Sequence, residues 1–253
     1  MNPDLISYLL QLADNSLIHG HRLSEWCGHG PVLEVDMALS NIALDNIGAA
    51  RSFYQYIAEI EGGDKTEDSY PYFRDVTEFK NILLVELPNG DFGDTIARSF
   101  YFDAFQQVFY KSLSQSSDER IAAIAQKSLK EVMYHLRFSR EWVIRLGDGT
   151  DESKNRIQKS IHKYWEYTGE MFLPSEVEKN LTASNSAVDV SLLKDEWMQI
   201  VTETIEDARI SFPLSAENAW FQQGGKNGMH TEYLGFVLAE LQYMQKTYPG
   251  AEW

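Results

Sequence analysis

Between Arg22 and Gly63 the chain reads RLSEWCGHGPVLEVDMALSNIALDNIGAARSFYQYIAEIEGG. The stretch opens on a tight Gly28-His29-Gly30-Pro31 turn, runs on with Gly48 as its one break, and stops at Gly62-Gly63. Apolar residues recur at Val35, Leu39, Ile42, Ala49, Phe53, Ile57 and Ile60, in steps of three, four or seven. That spacing predicts a helix. A helix from Pro31 to Glu61 would be about 45 Å long at 1.5 Å per residue, and helices of this length are the material of long-helix bundles. Asp45 falls inside the stripe, between Ile42 and Ala49. A carboxylate on a core-facing stripe is costly unless it is paired or binds metal.

On the N-terminal side, residues 3–20 predict a first helix, with Pro3 in its first turn and Leu5, Leu9, Leu12, Ser16 and His19 at helical spacing. On the other side, residues 62–76 are polar and carry Gly, Pro and Asp, so they read as a connecting loop. A short helix over 77–87 precedes the Asn89-Gly90 turn signal. From Phe92 to Ser114, Ile96, Phe100, Asp103, Gln107 and Tyr110 share one helical face, and Gln106 follows Asp103 by three residues. Asp118 can cap the next helix, which runs to Leu146 with Ile124, Ser128, Glu131, His135, Phe138 and Trp142 on one face. Glu131 and His135 lie one turn apart and can touch, which predicts a buried hydrogen-bonded pair. Further helices are expected over 152–172, 192–210 and 231–247, the last presenting Leu234, Leu238, Leu241 and Met244. Residues 174–190 are mixed and 213–230 irregular. No run alternates in the manner of a strand. The expected fold is all-α, a long-helix bundle with additional C-terminal helices, as a single domain over 1–253.

Composition narrows the function. The 253 residues are 43% hydrophobic and 13% aromatic, enough for a sizeable core, and the net charge is −16. Such acidity argues against duplex nucleic acid or an anionic membrane as partner. The single cysteine, Cys27, excludes an intrachain disulfide and reads as a small packing residue. The start MNPDLISYLLQLADN lacks the basic-then-apolar pattern of a secretory signal, and no apolar run is long enough to span a bilayer. A cytoplasmic protein is expected.

Three predicted helices therefore carry acidic residues on apolar faces: Asp45, Asp103 and Glu131, the last with His135. In ferritin-like di-iron bundles two helices each supply a Glu and two supply Glu-x-x-His, all pointing inward. This chain has Asp103-x-x-Gln106 and Glu131-x-x-Tyr134, and no Glu-x-x-His at all. An amide is a poor iron ligand beside an imidazole. The simpler expectation is a buried polar network in which these groups pair with one another. His19, His21, His29, His162 and His230 are scattered and read as surface or turn residues. Gly224-Gly-Lys-Asn-Gly lacks the Lys-Ser/Thr of a phosphate loop and reads as the lead-in to a helix. A backbone and Lys226 contact to an anion is the functional alternative.

Four blocks are more specific than any of these patterns: Arg22-Leu-Ser-Glu-Trp-Cys-Gly-His-Gly-Pro with Asn41-Ile-Ala-Leu-Asp; Leu83-Leu-Val-Glu-Leu-Pro-Asn-Gly-Asp-Phe-Gly-Asp-Thr-Ile-Ala-Arg98; Tyr134-His-Leu-Arg-Phe-Ser-Arg140; and Gly224-Gly-Lys-Asn-Gly-Met-His-Thr-Glu-Tyr-Leu-Gly235. Together and in this order the chain resembles the C-subunit family of bacterial phenylacetyl-CoA epoxidases. The resemblance implies a ferritin-like fold and a structural, non-catalytic role in aerobic phenylacetate catabolism. It implies a heteromer with a catalytic A subunit that holds the di-iron centre, a bridging B subunit, and a reductase subunit that uses NADPH. It implies no cofactor bound by this chain, so that Asp45, Asp103, Gln106, Glu131 and His135 are remnants of a metal site. In isolation the interface can self-pair into a homodimer, and Lys226 is the candidate contact to a CoA phosphate. The rival expectations are an autonomous ferritin-like di-metal oxygenase with atypical ligands, and a small-molecule binding module.

Overall fold

The computed structural model describes residues 2–213 and 221–251. Ten α-helices lie among them: α1 (Pro3–Ser24), α2 (Leu33–Glu61), α3 (Ser69–Phe73), α4 (Leu83–Glu86), α5 (Phe92–Leu113), α6 (Glu119–Gly147), α7 (Asp151–Trp165), α8 (Glu176–Thr182), α9 (Lys194–Asp207) and α10 (Glu232–Thr247). No described residue is in a strand. The fold is all-α and ferritin-like, built on long helices. Among the described residues no helix is long and apolar enough to cross a membrane. Contacts group the chain into two compact units, one comprising the residues up to Pro88 together with those from Gly224 onward, the other Asn89–Gln223.

In the first unit α1 and α2 run antiparallel. Asn2 caps α1 through its side chain and Pro3 occupies the first turn, where a missing N–H costs nothing. The predicted stripe on α2 is buried from Val35 to Ile57, with Ile60 at its edge half-buried. The two helices close tightly at Gly20, where a Cβ would stand 3.0 Å from the Ala43 carbonyl oxygen and from Ile47. The helix expected over 77–87 is two short pieces, a 3-10 turn at Val76–Glu78 and α4. Asp75 and Glu78 form a capping box around the first of them. The 62–76 connection contains α3. The last helix, α10, buries Leu234, Val237, Leu238 and Gln242. Leu241 is only half-buried and Met244 is exposed, so the apolar face is rotated from the one expected. Gln242 explains the rotation: its Nε2 donates to the carbonyls of Pro71 at 2.8 Å and Arg74 at 2.9 Å.

In the second unit α5 is buried almost all round from Thr95 to Tyr110, the signature of a central helix. The connection 114–118 returns the chain antiparallel into α6, capped by Asp118 at the Arg120 and Ile121 amides as the sequence suggested. Tyr101 ties three elements together. Its hydroxyl donates to the Ile161 carbonyl, and its own carbonyl accepts the Trp197 indole N–H, each at 3.0 Å. Two expected helices are shorter than the periodicity implied. The one over 152–172 ends at Trp165 and resumes as a 3-10 turn at Gly169–Phe172, because the Thr168 hydroxyl caps the Trp165 carbonyl. The one over 192–210 begins as a 3-10 turn at Val190–Leu193 and is helical only over Lys194–Asp207. Arg209, with φ 54°, bends the chain out of it.

Candidate functional site

The second unit gathers part of the expected polar set. α5 carries Asp103 and Gln106 and α6 carries His135 and Ser139, all buried. Asp103 Oδ2 accepts the Ser139 hydroxyl at 2.7 Å, and the same hydroxyl also lies 3.1 Å from the His135 carbonyl one turn back. Burial pushes the Asp103 carboxyl up to about 6, against the charge of His135 and the Ser139 hydrogen bond, which both pull it down. The result is a carboxyl that keeps its proton through mildly acidic pH and ionises only above about 6, inside an apolar helix pair.

Glu131 and Asp45 depart from the expectation of burial. The Glu131 side chain is 26% exposed, with Lys127 Nζ at 3.8 Å one turn before it on α6. Asp45, on α2 in the first unit, is half-buried, and the polar side chain within the buried stripe is its neighbour Asn46. Asn46 satisfies itself locally by donating to the Ile42 carbonyl at 2.9 Å. A register one residue off is enough to exchange the two, since successive helix positions are about 100° apart.

A ferritin-like fold raises the question of two iron ions, which need several carboxylates and imidazoles converging on one point. The donor set does not fit. Gln106 offers an amide, and Tyr134, at the third position after Glu131, is 40% exposed. Among the described residues no three of His, Cys, Asp and Glu come together closely enough to hold a metal ion.

The first unit contains polar clusters that the sequence pattern did not single out. Asp14, fully buried on α1, accepts the Tyr54 hydroxyl at 2.5 Å, the Lys80 amide at 2.8 Å and both terminal nitrogens of Arg74. Glu86, fully buried on α4, accepts the Thr231 amide at 2.6 Å on Oε1, and faces Asn81 Nδ2 and His230 Nδ1, each at 2.8 Å, on Oε2. Two histidines assigned to surfaces or turns are core groups: His19 is wholly buried, and the His230 side chain is 1% exposed. Cys27, expected to pack, is exposed. The signals were present in part. His19 continues the Leu12–Ser16 spacing, and Glu86 interrupts the apolar run Leu83-Leu-Val-Glu-Leu.

The Gly-rich loop has a structural purpose. Gly224 (φ 139°) and Gly228 (φ 79°) hold backbone conformations that side chains disfavour. A Cβ on Gly225 would overlap the Asn81 carbonyl oxygen, and one on Gly228 the Thr77 carbonyl oxygen. Lys226 sits half-buried in the 3-10 turn Gly225–Asn227, and Thr231 then caps α10. Gly225→Ala is expected to cost about 1–3 kcal/mol, the range of overpacking a tight contact. A urea midpoint equal to that of the parent would show that the loop is not closely seated.

These features define a ferritin-like bundle protein in which no di-iron donor set is gathered among the described residues. The family described as phenylacetic acid catabolic protein matches residues 1–253, and the chain belongs to that family. It is 45% identical over 249 residues, covering 98% of this chain and 99% of the relative, to the C subunit of the 1,2-phenylacetyl-CoA epoxidase of Escherichia coli (strain K12). The resemblance drawn from the four sequence blocks thus extends over the whole chain.

Proposed function

We propose that the chain is the structural, non-catalytic subunit of a multicomponent phenylacetyl-CoA epoxidase in aerobic phenylacetate catabolism. It supports a catalytic A subunit that carries the iron, in a cytoplasmic complex with a B subunit and an NADPH-using reductase. The observation that carries the reading is the polar core of a chain that the family matches over residues 1–253. Asp103 is occupied by a serine hydroxyl, Gln106 supplies an amide where an imidazole is needed, and Asp45 and Glu131 are half-buried. A bundle with that core contributes shape and surface. The reading keeps 1–253 as one functional domain and treats Asp45, Asp103, Gln106, Glu131 and His135 as remnants. Lys226 is the candidate CoA phosphate contact, and alone the chain self-pairs into a homodimer. The rival, an autonomous di-metal oxygenase, would need imidazole donors where Gln106 and Tyr134 stand.

Reconstitution from purified subunits tests this. NADPH-dependent epoxidation of phenylacetyl-CoA is expected only when this chain is present, with iron measured in the A subunit and less than about one tightly held iron in this chain, since imidazole ligands are missing. Full turnover without it would end the structural-subunit reading. Two irons bound here, with an oxygen-sensitive optical band, would favour the rival. A Lys226→Ala complex with unchanged apparent affinity for the thioester would remove the phosphate contact alone.

A further inference from the structure

Both ring nitrogens of His230 face acceptors. Nδ1 lies 2.8 Å from Glu86 Oε2, and Nε2 lies 2.9 Å from the Phe79 carbonyl oxygen. A neutral imidazole has one N–H, so it can satisfy only one of them and must press a lone pair against the other. Protonating Glu86 instead would have to place the hydrogen on Oε2, the oxygen that already receives Asn81 Nδ2. That carboxylate receives two N–H donors besides the ring, the Thr231 amide on Oε1 and Asn81 Nδ2 on Oε2. The orientation of the Asn81 amide is itself determined, because Nδ2 stands between two acceptors, Glu86 Oε2 and the Ile82 carbonyl at 3.2 Å.

We propose that His230 is held in the native protein as an imidazolium, donating at once to Glu86 and to Phe79. In that state it is a proton-dependent latch that closes the segment Gly224–Thr231 onto the segment Thr77–Glu86. Around the latch, backbone packs on backbone. Gly225 and Gly228 stand against the Asn81 and Thr77 carbonyls without side chains of their own, and the Thr231 amide depends on the same Glu86 that pairs with His230. Losing the imidazolium therefore removes one of the polar contacts across this joint and leaves Glu86 buried without a cation on that side.

The charges around the ring come from every packed element. From α1, Asp14 favours the cation, and Arg22 donates to the Glu86 backbone carbonyl at 2.8 Å. From the 74–81 segment, Arg74 stacks 4.2 Å over the Phe79 ring and donates to the Glu78 carbonyl. Lys80 Nζ lies near Gly228. From α4, Glu86 is the direct counter-ion. Burial by itself lowers the affinity of His230 for its proton, but the Glu86 hydrogen bond and charge, the Phe79 carbonyl and Asp14 together outweigh it, and the net direction is upward. A histidine so raised contributes stability that is whole below its ordinary value near 6.5 and is lost as pH climbs through the native value.

The full chain, labelled with nitrogen-15 at histidine, tests this by long-range proton–nitrogen spectra, with His230 assigned by its disappearance in His230→Gln. At pH 7 both ring nitrogens of His230 should show the shift of protonated imidazolium nitrogens. As pH rises one should change to a bare nitrogen, and exchange of the Thr231 amide, corrected for intrinsic rate, should accelerate at least about tenfold over the same interval. In His230→Gln that acceleration should be absent. One bare ring nitrogen at pH 7 would overturn the proposal. So would an imidazolium whose deprotonation leaves Thr231 exchange unchanged, because the group would then be charged but would latch nothing.

Discussion

Arg74→Ala should lower the unfolding free energy by about 3–5 kcal/mol, the usual cost of stranding one member of a buried ion pair. Asp14 is fully buried and the Arg74 side chain is 11% exposed. The Tyr54 hydroxyl and the Lys80 amide would remain as donors to Asp14, but neither brings a positive charge. The Tyr54 phenol shows how strongly the site resists another anion: burial first, and then the Asp14 charge, push it well above its ordinary value. Truncation also removes the guanidinium from the Phe79 ring and from the Tyr70 carbonyl, which it meets at 2.7 Å. Native domains hold only about 5–15 kcal/mol in total, so the variant should melt far below the parent. Adding Asp14→Asn should restore part of the loss, since the stranded charge disappears. Urea denaturation of the three proteins gives the answer. A loss under about 1 kcal/mol for Arg74→Ala would mean that the pair is solvated in solution, contrary to its burial.

Asp103→Asn should have the opposite sign. A carboxyl whose native value is raised to about 6 binds its proton more tightly folded than unfolded. Between its ordinary value near 4 and about 6 the native state holds the extra proton, and stability contributed by this group falls as pH rises. Above about 6 the penalty is complete, at about 2–3 kcal/mol for a shift of two units at about 1.4 kcal/mol each. Asparagine keeps an oxygen for the Ser139 hydroxyl and carries no charge. The variant should therefore match the parent near pH 4 and exceed it by up to that amount at pH 7.5. A variant less stable than the parent at pH 7.5 would show that the ionised carboxylate is favoured by its surroundings.

Much of the secondary structure could be read from local pattern, because periodicity and capping act over one or two turns. α2 begins and ends within two residues of its expected bounds, and Asp118 caps α6 as its position suggested. Other local signals lie in the sequence as well. Ser175 and Glu178 stand at the spacing of a capping box, and both of its hydrogen bonds are present at the start of α8. On α1, Asp14 shares the helical spacing of Leu10, Leu17 and Ile18, which marks it as a core-facing carboxylate on spacing alone. Pattern also misled. Asp45 and Glu131 stand on apolar stripes as counted along the sequence, yet the helices are rotated enough to leave both half-buried.

The sequence by itself determined that this is an all-α chain of long helices. It placed Asp103 and His135 on inward faces and showed that no Glu-x-x-His is available to hold iron. Those properties depend on residue types and on spacings shorter than two helical turns. Only the tertiary structure decided which buried charges meet. Asp14 finds Arg74 from 60 positions away, and Glu86 finds His230 from 144 positions away. A buried carboxylate needs a donor in space, and helical periodicity specifies the face on which the carboxylate lies without specifying which distant segment will be brought against it.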